Sequence, residues 1–431
     1  MTTDILPASP DQRSTDAPRA DAPPTDLPPT YAEVAARFRP LFDEIAAGAA
    51  HREDERILLH AQVRRLADAG FTALRVPVEH GGCGMSAPQF FRLLIELAAA
   101  ESNLAQALRC HIAFVEDRLY ADDPVWLRRI ARGAVLGNAW TETGPVPVGG
   151  VSTTITRDGD SYRVNGTKYY TTGSLYADWI QTGARTADGV DVIALVRRDA
   201  PGVEVVDDWD GFGQRLTASG TSIFRDVVVP AADVITDTEH PPYDTGVYQL
   251  VHVATLAGIA RAAVRDVAAE VRGRTRTFSH GNGTRPSEDI QVQQVVGEVS
   301  ALAFASEAAA LRVAELLQEA YEAHLDLPQA DADSAAVAVE FASSQAQIVV
   351  TEQVQRAAST IFNALGASST RKGLQLDRHW RNARTISSHN PVIYKSRIVG
   401  DWEVNGTVPA FVWRAGDAPG TSSVGSQEDA S

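Results

Sequence analysis

Cysteine is nearly missing from this chain: Cys83 and Cys110 are the only two among 431 residues. Two thiols exclude a disulfide framework and a cysteine-rich metal site, and they suit a reducing cytoplasm. Neither they nor the scattered His80 and His111 have the spacing of a zinc site, so no metal is expected. Positive charge is also short, with 39 Lys and Arg against 55 Asp and Glu and a formal net charge of -16. Nucleic acid and anionic membrane surfaces both need a broad positive field, so neither is an expected partner. A local basic cluster in such a chain serves a small anion instead. No apolar run reads as long enough to cross a bilayer. The N-terminus lacks the charged start and apolar stretch of a signal peptide. No Gly-x-Gly-x-x-Gly follows a strand pattern, which leaves a nicotinamide site without support.

What is present is ordinary globular material, 44% hydrophobic and 22% charged, enough for two or three packed units. Residues 1–29 are rich in Pro, Asp and Ala and read as a disordered tail, as do residues 416–431. Over 30–134 the spacing is helical, as in "YAEVAARFRPLFDEIAAGAA" and "RILLHAQVRRLADAG", and "APQFFRLLIELAAAESNLAQAL" reads as one further helix. Over 135–235 the rhythm changes. "STTITRDGDSYRVNGTKYYTT" alternates and carries turn signals, which predicts an antiparallel sandwich or barrel of short strands. Over 236–415 long helices return, with Leu250, Val253, Leu256, Ala260, Val264, Val267 and Val271 on one stripe. Segments apolar on nearly all sides predict a four-helix bundle with further faces to cover, hence a homo-oligomer. The expected class is mainly α with a central β domain.

One stretch concentrates cations. "RHWRNARTISSHNP", residues 378–391, holds three Arg, two His and a Trp, and no carboxylate. Either it is a solvated helix face, or it holds an anionic cofactor with His389 beside the chemistry.

The order of domains, with "RVPVEHGGCGMS", "GNAWTETG", "NGTKYYTTGSLYADW" and "DGFGQRLTASGTSIFRDVVVP" at their junctions, resembles the acyl-CoA dehydrogenase superfamily over about 31–412. The resemblance implies that fold, a flavin, and a homotetramer or sometimes a dimer. Its dehydrogenases need a Glu that removes an α-proton, but here "TISSHNP" puts His389 and Asn390 at that place. "RHWRNARTxxxHxP" followed by "YK" is instead similar to the two-component flavin monooxygenases of the superfamily, the dibenzothiophene, dimethyl sulfone and amine N-hydroxylase group. Ile386 and Asn390 depart from the dibenzothiophene pattern, which leaves the substrate between a small sulfur compound and an amine.

This resemblance implies an enzyme that takes reduced FMN from a separate reductase, by docking or by diffusion alone, and reacts with O2 to form a flavin C4a-hydroperoxide; FAD is the alternative cofactor, and the cysteine usage makes a cytoplasmic location the expectation. His389 is the expected proton donor, its pKa near neutral. Asn138, Thr141, Thr171, Thr172 and Trp209 are expected at the flavin ring, and Arg276 and Arg371, backed by Arg274 and Lys372, at its phosphate. His111 is a candidate on the substrate side. The competing readings are an FAD-dependent acyl-CoA dehydrogenase or oxidase with its base relocated to Glu340 or Glu352, and a non-enzymatic assembly protein.

Overall fold

The computed structural model describes residues 29–143, 150–236 and 240–409. The tail readings for 1–29 and 416–431 therefore fall, residue 29 apart, outside the described residues. Seven helices come first: α1 (Tyr31–Ala47), α2 (Ala49–Glu55), α3 (His60–Asp68), α4 (Ala87–Ala100), α5 (Ser102–Ala107), α6 (Arg109–Tyr120) and α7 (Pro124–Ala131). Eight strands follow: β1 (Leu136–Ala139), β2 (Thr154–Asp158), β3 (Ser161–Lys168), β4 (Trp179–Thr186), β5 (Asp191–Arg197), β6 (Val203–Val206), β7 (Thr221–Pro230) and β8 (Val234–Ile235). The chain then forms α8 (Asp244–Gly273), α9 (Ile290–Asp326), α10 (Gln329–Thr360), α11 (Arg378–Ser387) and α12 (Ile393–Asn405).

Two local expectations need correction. The expected third helix is interrupted at Glu101, whose backbone is extended. The Glu101 carboxylate accepts from the backbone N–H of Asn103 and so caps a new helix, α5. The sheet is mixed and not purely antiparallel, because β1 and β2 both run parallel to β4. Side-chain alternation reports which face of a strand is buried; it carries no information on the partner's direction.

The stripe on α8 is buried, Val264 excepted, and so is most of the rest of that helix, which α4, α9 and α10 surround. By length and composition α8 could cross a membrane, contrary to the expectation from the sequence, but most of its apolar window is inside the protein. The bundle in turn leaves large apolar side chains outside: Phe278 is 71% and Phe304 76% exposed.

A loop from the β domain holds the three regions together. The Gln214 backbone N–H donates to Asn382 Oδ1 on α11 at 2.6 Å, and its side chain donates to Ser102 on α5 at 3.1 Å. The Leu216 N–H donates to Asn103 Oδ1 at 3.1 Å. At Gly213 a Cβ would stand 2.1 Å from the Arg381 carbonyl oxygen, so only glycine permits this approach.

Candidate active site

Most cations of the 378–391 stretch are structural. Arg378 and His379 both reach Asp266 on α8, at 2.5 and 2.9 Å. Arg381 binds Glu53 and Asp377, each at 2.7 Å. These contacts fasten α11 to α8 and α2. They leave His389, just past the end of α11, as the residue of the stretch that faces a cleft. His389 is exposed to solvent at the place where the end of α11 meets α6 and α8.

Three residues on α8 share that wall. Asp244, Tyr248 and His252 are spaced one helical turn apart and so lie on one stripe. The His252 ring centroid is 4.5 Å from that of His389. Across from them, at the first turn of α6, Arg109 Nη2 donates to His389 Nε2 at 3.2 Å. Its guanidinium lies 5.0 Å over the Tyr248 ring, a cation–π contact. Gln106 Nε2 donates to His252 Nε2 at 3.4 Å.

These contacts assign the tautomers. A guanidinium only donates, so His389 Nε2 is an acceptor and the ring proton sits on Nδ1, 3.3 Å from Asn390 Oδ1. Burial first and the Arg109 charge second push the His389 pKa down to about 3. The sequence reading had it near neutral; in the structure the ring is a neutral hydrogen-bonding group. His252 is held neutral as well, well below its ordinary value, first by burial and then by its crowding against the His389 ring and the Arg109 guanidinium, which disfavours a further positive charge. With Nε2 accepting from Gln106, its proton is on Nδ1, which is buried and has no partner. Burial raises the Asp244 carboxyl to about 7, against the pull of His240 and Arg109.

The expected ring contacts gather on the β domain. Asn138 on β1 is in register with Gln181 on β4, and Ser174 donates to the Asn138 carbonyl oxygen at 2.8 Å. Oδ1 of Asn138 and Oε1 of Gln181 are buried with no partner. Trp209 packs edge-on to Tyr170, with centroids 6.1 Å apart, at the start of the Thr171–Thr172 turn. That turn meets the His252 side through α5: at Gly173, φ +79, a Cβ would lie 2.3 Å from the Ala107 carbonyl oxygen, next to Gln106.

Several expected contacts are differently placed. Thr171 Oγ1 is buried and bonds Gly220 O and Ser222, and Thr172 Oγ1 bonds Ser219, so both hydroxyls are committed within the β domain. Thr141 is exposed and pairs with Tyr169 through its backbone. His111 does not face the cleft. Its Nδ1 accepts from the Leu136 N–H at 3.3 Å, its Nε2–H donates to Thr72 O at 2.9 Å, and burial lowers its pKa to about 4. It is a core bridge between the helical domain and β1. Arg276 and Arg371 are exposed, and among the described residues neither has a hydrogen bond or ion pair to the cleft. They share a corner of the bundle, where Phe278 Cζ and Arg274 Nη1 lie 3.1 and 3.8 Å from where a Cβ on Gly366 would stand.

Sequence reasoning missed Arg109, Tyr248, His252 and Gln181. The signal was there for three of them: Arg109, His252 and Gln181 are polar residues in otherwise apolar segments, "LRCHIAF", "QLVHVATLAG" and "DWIQTGA". Two pockets among the described residues lie elsewhere, one near Phe71, Arg75 and His111 and one near Glu101, Ile259 and Asn382; neither is lined by His389 or Arg109.

The chain matches the acyl-CoA dehydrogenase N-terminal domain over residues 31–121, the middle domain over 138–227 and the C-terminal domain over 250–393. It belongs to the acyl-CoA dehydrogenase superfamily. Within this superfamily it is 28% identical over 379 residues to a dibenzothiophene monooxygenase of Rhodococcus qingshengii, covering 81% of this chain and 88% of that protein. It is 26% identical over 384 residues to the probable FMNH2-dependent monooxygenase SfnC of Pseudomonas putida, covering 86% and 95%. The fold matches methanesulfinate monooxygenase MsuC from Pseudomonas fluorescens with a TM-score of 0.79 at 26% identity, over 88% of this chain and 98% of that one. It matches FMN-bound TdsC from Paenibacillus sp. A11-2 with a TM-score of 0.79 at 29% identity, over the same shares.

Proposed function

We propose that this protein is a reduced-flavin-dependent monooxygenase of small sulfur compounds, using FMN supplied by a separate reductase. The observation that carries the reading is His389. A dehydrogenase base must be an accessible carboxylate beside the thioester, and here a neutral imidazole, backed by a cation, occupies the cleft wall. The relocated bases do not serve. Glu340 is fully buried with Lys395 3.4 Å away, and Glu352 is exposed on the outside of α10. Asp244 lies two turns of α8, about 12 Å along its axis, from His252.

The residues present fit a flavin. The unpartnered oxygens of Asn138 and Gln181 suit the N–H edge of an isoalloxazine ring. The backbone of the 170–174 turn and Trp209 would flank it. Arg276 and Arg371 would meet a phosphate across a subunit boundary, since they stand off the cleft of their own chain. Reduced flavin, when bound, supplies the electrons that activate O2. The protein's part is to orient and to manage protons. Arg109 fixes the His389 ring and its tautomer, and His389 presents its imidazole to the reacting face. His252 packs against the His389 ring and helps to hold its orientation.

The experiment is to mix the protein with chemically reduced FMN and O2 and assay dibenzothiophene, an organic sulfinate and an amine for oxygenated product. Product from a sulfur compound supports the reading. Flavin bleaching by an acyl-CoA, with no oxygenation, overturns it. A reducing cytoplasm is the compartment we propose, and the free thiols Cys83 and Cys110 are compatible with it.

A further inference from the structure

We infer that the cleft takes a substrate carrying one anionic oxyacid headgroup, of the class of an organic sulfinate, and that Arg109 holds that charge. The inference rests on the monooxygenase reading and narrows its substrate. It starts from a buried guanidinium that has no ion pair in contact, Asp244 acting on it only at a distance. Arg109 is only 7% exposed, and among the described residues no carboxylate lies within 4.0 Å of its guanidinium. Its Nε is buried without a partner. Its hydrogen bond to His389 Nε2 is a contact with a neutral acceptor, which leaves the guanidinium without an anion in contact. A desolvated guanidinium is normally paired with a carboxylate or a phosphate, because the isolated charge is costly to bury.

The neighbourhood holds unpartnered groups of both kinds, since Gln106 Oε1 is a buried acceptor without a donor. The His252 Nδ1–H is a second buried donor with no acceptor. The carboxylate on the same wall, Asp244, is drawn toward its neutral form by burial. The wall thus holds a cation and spare donors where an aromatic sulfur heterocycle would need apolar surface, and a planar guanidinium matches an oxyacid headgroup. A sulfinate also keeps a lone pair on sulfur. Oxygenation adds one oxygen atom there: sulfinate, O2 and reduced flavin give sulfonate, oxidised flavin and water, the reduced flavin providing both electrons and the two hydrogens of the water.

Binding tests this without turnover. Calorimetric titration of the full-length protein with benzenesulfinate and with its neutral analogue methyl phenyl sulfone should favour the anion by about ten- to a hundredfold, the range of one charge-assisted contact. Arg109→Met should abolish that preference, and Arg109→Lys should restore part of it. The wild-type comparison stands even if a variant fails to fold. Equal affinity for the two ligands, or an unchanged preference in a folded Arg109→Met protein, overturns the inference. Oxygenation of dibenzothiophene but not of the sulfinate also overturns it while leaving the monooxygenase reading intact. Sulfinate binding without any flavin-dependent oxygenation overturns the monooxygenase reading, and the substrate assignment with it.

Discussion

Arg109 and His389 are 280 positions apart in the chain and 3.2 Å apart in the fold, with Arg109 Nη2 donating to His389 Nε2. This contact closes the cleft between α6 and the end of α11. It also means that the imidazole cannot carry a proton on Nε2 while the guanidinium stays in place.

Replacing His389 should separate oxygen consumption from product. His389→Ala should still bind FMN, whose expected contacts are on the β domain and at the bundle corner. It should still consume O2 with reduced flavin. Hydrogen peroxide should rise, and oxygenated product should fall on the order of 10²–10⁴-fold, the range for loss of a positioned acid–base group. Peroxide and product quantified in one reaction decide the matter; full, coupled turnover would rule out a role for His389.

The phosphate site is proposed at Arg276. Arg276→Ala should weaken FMN binding by roughly ten- to a hundredfold and leave riboflavin nearly unchanged, as expected for one Arg–phosphate contact. Fluorescence titration with both ligands reads the difference. An equal loss for both would assign the effect to the fold.

Phe278 and Phe304, largely exposed on the bundle, lead us to expect an oligomer in solution. Light scattering at micromolar concentration should give a mass well above the 46.2 kDa of one chain. A stable monomer would also remove the proposed phosphate site between subunits.

His111 should tie stability to pH. Its folded pKa, about 4, lies below the ordinary 6.5, so the unfolded chain binds its proton first as pH falls. Its contribution is complete above about pH 6.5 and is lost as pH drops toward 4. His111→Gln should make the dependence of unfolding free energy on pH shallower by about 1.4 kcal/mol per pH unit in that window. Urea titrations at pH 6.5 and 5 measure it; identical slopes in the two proteins would show that His111 titrates normally.

Asn382→Ala should leave the buried Gln214 N–H without its acceptor, at a cost of about 1–3 kcal/mol. Denaturant unfolding gives the value, and a change below a few tenths would mean that water replaces the contact.

The legible parts of the fold were those written locally. The long apolar spacing of α8 to α10 and the continuous apolar run of β5 follow from burial on one side or on all sides. The break at Glu101 was hidden, because a carboxylate turned inward to cap a helix reads like any polar residue on a helix face. His389 could be found because a departure at a motif position is visible in one sequence. Arg109 could not be ranked: its importance comes from a contact 280 residues away and from the lack of a carboxylate around it, neither of which periodicity records. The same limit explains His111, whose two partners, Thr72 and Leu136, lie in different segments. It explains the Arg-rich stretch too, where Asp266 and Glu53 supply the missing negative charge from distant helices.

The loop around Gln214 bears on how this chain can vary. It is covalently part of the β domain, yet its hydrogen-bond partners are Ser102 and Asn103 on one side and Asn382 on the other. A chimaera with a relative, spliced at the helix–strand junctions near residues 135 and 240, would part the loop from both sets of partners while keeping each domain whole. Three sites must therefore be inherited together: the 213–216 loop, the start of α5 and the middle of α11. The unit that recombination can exchange without loss is this non-contiguous seam, and it does not coincide with any one of the three domains.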